Sequence, residues 1–197
     1  MWWTSNQGGN GSVQRRVSLK TYFVIVLLSV AVAIALNNIL LVMHLDKYSQ
    51  TYEKTQDVLY SRPLGMQLLY LGVCIPIVEE FLFRKLLYGF LRKKISFVAA
   101  VLISAIIFGV YHGNIVQFVY ATFCGCLLAY LYEMNNTIIA PIISHMTMNL
   151  LVCIVTHVGG FEWMFDGAIR LVAITTICVM ITGISLLNSK KWMLQKC

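Results

Sequence analysis

Ile77-Val78-Glu79-Glu80-Phe81-Leu82-Phe83-Arg84 lies within a run of Leu, Val, Ile, Tyr and Gly that otherwise reads as lipid-soluble. Each ionised group near the middle of a bilayer costs about 3 kcal/mol or more. Such a stretch is kept either because its charges find partners or because they do chemistry. The surroundings decide whether the medium is lipid. Of the 197 residues, 59% are hydrophobic and 12% charged, against roughly 45–50% and about 25% in soluble domains. A mean hydropathy of +0.76 agrees. The expected fold class is all-α: a polytopic transmembrane helical bundle of about six helices around an intramembrane polar site.

A net charge of +7 does not point to nucleic acid, because the basic residues gather at the ends of apolar segments. Arg15, Arg16 and Lys20 form one cluster, Arg92, Lys93 and Lys94 a second, and Lys190, Lys191 and Lys196 a third. That is the pattern of topology determinants. Five of the six cysteines fall in apolar segments and read as small buried core residues. Cys124-x-Cys126 lacks the spacing of a zinc or redox pair, and Cys197 is too close to the end for a prenylation box.

Segmentation predicts spans at Thr21–Met43, Leu64–Leu91, Ile95–His112, Ile115–Tyr132, Thr137–His157 and Gly167–Leu187. Residues 1–20 read as a disordered basic segment, 21–188 as one helical domain with its motif core at 79–149, and 189–197 as a basic tail. The first apolar run continues past Ala31-Val32-Ala33, so a retained span is expected rather than a cleaved leader. Six alternating spans put all three basic clusters on one side, the cytoplasm, with both termini. The stretch from Asp46 to Arg62 reads as an outer loop, and Phe161 and Trp163 as interfacial anchors. Gly125-x-x-x-Ala129 suits close helix packing. Asn37 and Asn38 could hydrogen-bond a neighbouring helix, and Glu133 ends its helix at the interface.

Glu80 and Arg84 are spaced i,i+4 with the acid first, the favourable arrangement for an ion pair on one helix face. Glu79 is rotated about 100° away and needs another partner. Phe108 and His112 lie one turn apart in "FGVYH", and His145 and Asn149 one turn apart in "HMTMN". The latter two offer hydrogen-bond donors aimed in one direction, as an oxyanion requires. Pro76 and Pro141, just upstream, can free backbone carbonyls where these polar groups gather. Singly, each group suits a helix–helix hydrogen bond worth about 1 kcal/mol or a structural clamp. Together they suit a hydrolytic site that activates water.

EExxxR at 79–84, FxxxH at 108–112 and HxxxN at 145–149, in that order on successive membrane segments, resemble the CPBP family. This comprises the CAAX-prenyl endopeptidases and bacteriocin-processing enzymes, also called Abi or Rce1-like intramembrane glutamic endopeptidases. The resemblance implies that Glu79 is the general base, with His112 helping to orient water. It implies that His145 and Asn149 hold the oxyanion, that Glu80 and Arg84 are supporting residues, and that Phe108 packs at the site. The implied substrate is a membrane-associated peptide or lipidated protein, with the lipid bilayer as the other partner and the plasma membrane of a bacterium as the location. A zinc version would use Glu79, His112 and His145, but there is no HExxH and Asn149 is a poor zinc ligand, so no cofactor is expected. Two rivals stand beside this reading. One is a non-catalytic protein of the bacteriocin self-immunity type. The other is a proton-coupled transporter, weakened by small size and absent repeats.

Overall fold

The computed structural model describes residues 17–44 and 49–194, with side chains to residue 187. Among them every regular element is helical. The chain is a polytopic bundle: α1 (Leu19–Met43), α2 (Gln50–Tyr60), α3 (Leu64–Arg92), α4 (Phe97–Tyr111), α5 (Ile115–Asn135), α6 (Ile139–His157), α7 (Gly160–Phe165) and α8 (Ala168–Leu194). Most of the expected N-terminal segment lies outside the described residues, as does Cys197. The backbone of α8 runs on to Leu194, into the stretch expected as a tail.

Starts and stops follow local chemistry. Ser18, Ser49, Ser96 and Asn114 each accept a backbone N–H from the first turn that follows, relieving one of the donors a helix leaves unpaired at its N-terminus. Because Ser96 caps α4, that helix has only 15 residues. Its rise of about 22 Å falls short of the roughly 30 Å of hydrocarbon. Among the described residues five helices are long and apolar enough to cross a membrane, and α4 is a shorter sixth. Gly113, at φ 75°, turns the chain directly from α4 into α5, a conformation a side chain resists.

Several expectations change here. The stretch from Asp46 to Arg62 is not simply loop, since Gln50–Tyr60 is helical. Tyr52, Thr55, Gln56, Leu59 and Tyr60 recur at i, i+3, i+4, i+7 and i+8 and turn one face to the bundle interior. Phe161 is buried rather than interfacial, whereas Trp163 is exposed with the Arg170 guanidinium 4.6 Å above its ring. Cys74 is exposed, while Cys124, Cys153 and Cys178 are buried. Glu133 does more than end a helix: it accepts from Tyr88 Oη at 2.8 Å and Arg92 Nε at 2.9 Å.

Small polar groups join the helices. Ser29 and Ser144 hydroxyls meet at 2.7 Å between α1 and α6, and Asn38 donates to Thr175 Oγ1 at 3.0 Å between α1 and α8. Asn37 donates to Ala33 O of its own helix. Helices α4 and α5 pack closely through glycine. A Cβ on Gly125 would lie 3.1 Å from Ala105 Cα, and one on Gly109 would lie 2.7 Å from the Phe118 carbonyl oxygen and strike Thr122. Gly109→Ala must therefore push α4 off α5, with an expected loss of about 1–3 kcal/mol. Thermal unfolding in detergent checks this, because Gly65→Ala, which meets nothing within 4 Å, should lack that clash penalty.

Candidate active site

Helix α3 is not a regular α-helix. It carries two π-helical segments, Tyr70–Cys74 and Phe81–Tyr88, on either side of the two glutamates. The first has a readable cause and a consequence. The N–H of Ile75 bonds back to the Tyr70 carbonyl, five residues earlier, and Pro76 has no N–H to offer. The Leu71 carbonyl is thereby left without these helical donors, and a buried carbonyl needs one. Asn149 of α6 supplies it, with Nδ2 2.8 Å from Leu71 O. Gly72 permits the approach, since a Cβ there would collide with Leu150.

One turn on, Glu79 and Glu80 are both buried and have different surroundings. Glu80 Oε2 lies 3.2 Å from Arg84 Nε, the i,i+4 pair, and Glu80 Oε1 lies 2.8 Å from His145 Nδ1. Arg84 also reaches the Gly125 carbonyl at 3.4 Å and packs 4.5 Å above the Phe108 ring. Glu79 meets the other nitrogen of the same imidazole, its Oε2 lying 3.7 Å from His145 Nε2. The result is a chain Arg84–Glu80–His145–Glu79 across α3 and α6. His145 is thus a partner of both carboxylates, a contact the motif spacing did not reveal.

The tautomers follow from the partners. A carboxylate can only accept from His145, so Nδ1 carries a proton there. His112 Nδ1 lies 2.8 Å from the Phe108 carbonyl oxygen, so it too is protonated, leaving Nε2 of a neutral ring as an acceptor. The Phe108 ring is a neighbour of both imidazoles. That ring stands edge-on to both imidazoles, at centroid distances of 4.8 and 5.8 Å.

Glu79, Phe108, His112, His145 and Asn149 all line one cavity of about 520 Å3. Glu80 and Arg84 lie beneath it, essentially inaccessible at 0% and 1% exposure. Residues that the motifs did not flag also reach this cavity, notably Tyr52, Gln56 and Tyr60 of α2 and Gln117 and Tyr120 of α5. The i,i+3,i+4 stripe of α2 was the available signal. Among the described residues no three His, Cys, Asp or Glu side chains are arranged to hold a metal ion.

Residues 61–151, the segment holding all three motifs, match the family model "Type II CAAX prenyl endopeptidase Rce1-like". The chain is 34% identical over 113 residues to "Putative membrane peptidase YdiL" of Bacillus subtilis (strain 168), covering 57% of this chain and 46% of that one. It is 29% identical over 99 residues to "UPF0177 protein YxdF" of Lactococcus lactis subsp. lactis (strain IL1403), covering 48% and 52%. The chain thus spans about half the length of these relatives. No solved structure matches. Through the segment 61–151, with its three motifs folded around one cavity, this integral membrane protein is similar to the Rce1-like type II CAAX prenyl endopeptidases.

Proposed function

We propose that the protein is an intramembrane endopeptidase that hydrolyses a peptide bond of a membrane-associated peptide or protein, of CAAX or leader-peptide type. One observation carries the reading. Glu80 takes the guanidinium of the cluster, so Glu79 is left without one, facing a cavity with two oriented imidazoles. Glu79 accepts a proton from water while His112 Nε2 helps to orient it, and the water oxygen attacks the scissile carbonyl carbon. The second amide hydrogen of Asn149 and Nε2 of His145 donate to the resulting oxyanion. With Nδ1 already donating to Glu80, His145 can do this only as an imidazolium, its charge balanced by the carboxylates on either side. Glu79 then returns its proton to the leaving amine as the C–N bond breaks, giving a new carboxylate and a new amino terminus.

Comparing peptide termini in membranes of cells carrying wild type or Glu79→Gln tests the reading. Termini found only with wild type are expected. Their absence would favour a non-catalytic binding protein of immunity type.

Two further results are expected. Turnover should survive prolonged treatment with a strong membrane-permeant chelator, and purified protein should lack stoichiometric zinc. Loss of activity that zinc alone restores would make Glu79, His112 and His145 ligands instead. Pro76→Ala should lower turnover several-fold without loss of thermal stability, because the new N–H competes with Asn149 for the Leu71 carbonyl and releases the amide from its fixed orientation. A lowered melting temperature with unchanged turnover would confine the proline to a structural role.

A further inference from the structure

We propose that Gln117 binds substrate, its carboxamide donating a hydrogen bond to a backbone carbonyl of the peptide, and that Asn114 is the positioning residue that orients this carboxamide. The inference rests on the endopeptidase reading of the site and adds to it how the polypeptide is held.

The orientation starts from the backbone. Asn114 is extended and caps α5, with Oδ1 2.9 Å from the Gln117 backbone N–H. A backbone N–H can only donate, so that atom is the amide oxygen and the other end of the Asn114 side chain is its NH2. This NH2 lies 2.6 Å from the Gln117 side chain. A donor at that distance needs an acceptor, so the atom it meets is Oε1 of the Gln117 carboxamide, and Nε2 is turned away from Asn114. One backbone N–H fixes two side-chain amides in succession, neither of which has a set orientation by itself.

A helix cap alone does not call for this arrangement. An N-cap Asn serves the first turn through its oxygen, and a Glu three residues on would accept as well as a Gln. Only the Gln carries hydrogens on the far side. Asn114 is buried and does not line the cavity, whereas Gln117 lines it together with Glu79 and His112. The Asn114 NH2 also lies 3.4 Å from the His112 carbonyl oxygen, so one side chain ties the turn bearing His112 to the one bearing Gln117. The chemistry of the other groups leaves a place for this donor. Glu79 and His112 Nε2 accept, while Asn149 and His145 serve the oxyanion. A further carbonyl of the same peptide loses its water on entering the cavity and needs a new donor. Gln117 Nε2 supplies it.

The test uses the full chain, purified in detergent, and a synthetic peptide spanning a terminus that appears only with wild type. Gln117→Glu keeps an acceptor for Asn114, and Asn114→Asp keeps an acceptor for the α5 backbone N–H, so both should melt with wild type. Gln117→Glu, the neutral Gln117→Met and Asn114→Asp should each lower kcat/KM about tenfold, mainly through KM, as for loss of one hydrogen bond made equally in ground and transition states. Asn114→Asp acts by drawing Nε2 toward itself and leaving Oε1 to face the carbonyl. Combined with Gln117→Met it should therefore cost no more than Gln117→Met alone. In peptides with one non-scissile amide at a time replaced by a trans-alkene, one position should cost wild type about tenfold and Gln117→Met nothing further. Wild-type kinetics in Gln117→Glu and Gln117→Met, additive losses in the double variant, or the absence of such a position would overturn the role of Gln117 while leaving the endopeptidase reading intact. If no terminus depends on wild type, that reading falls and this proposal falls with it.

Discussion

Glu79→Gln is expected to lower peptide hydrolysis by about 100- to 10,000-fold, the range lost with a general base, while the protein stays folded. The amide keeps the volume and can still hydrogen-bond, but it cannot accept a proton from water. The fold should tolerate the change because Glu79 is not the partner of Arg84: that guanidinium is 3.2 Å from Glu80. Neutralising a carboxylate that lies 3.7 Å from an imidazole leaves Arg84 with its own partner, Glu80. Thermal unfolding and turnover of the same purified sample separate the two effects. A variant that unfolds as readily as a Glu80 variant, or one that keeps more than a tenth of wild-type turnover, would remove Glu79 from the role of base.

Glu80→Gln is expected to cost about 3–5 kcal/mol, the usual loss when one member of a buried ion pair is removed and the other stays charged. Arg84 would keep only the Gly125 carbonyl and the Phe108 face. Turnover should fall too, for a separate reason: His145 Nδ1 loses the carboxylate that fixes its proton and ring orientation. The double variant Glu80→Gln/Arg84→Met tells these apart. Removing both charges should recover most of the stability, since neutral replacement of a whole buried pair is often tolerated. It should not recover turnover, because His145 still lacks its partner. Recovery of both would mean that Glu80 serves only to neutralise Arg84.

The membrane class, the positions of the long helices and the Glu80–Arg84 pair were legible in the residues alone. Each depends on local quantities: the apolar length of a segment, or the separation of side chains one turn apart on a single helix. The closeness of Gly125 to the facing helix was legible for the same reason, as a small residue at helical spacing. Helix α2 was legible in principle through its stripe from Tyr52 to Tyr60, but the charges on its other face read as loop.

Only the tertiary structure decided which groups meet. His145 and Glu80 are 65 residues apart, and no spacing rule sets the rotation of α6 against α3. That rotation depends on the π-helical segments, which lengthen the turn and so re-aim every later side chain. It depends equally on the close approach at Gly72 that lets Asn149 reach Leu71. Likewise, His112 and His145 stand on different helices, and only the packing sets the Phe108 ring edge-on to both beside one cavity. Helical periodicity is fixed by covalent geometry within a few residues. The offset, tilt and rotation between helices are set by how their surfaces pack, and it is there that three short motifs become one site.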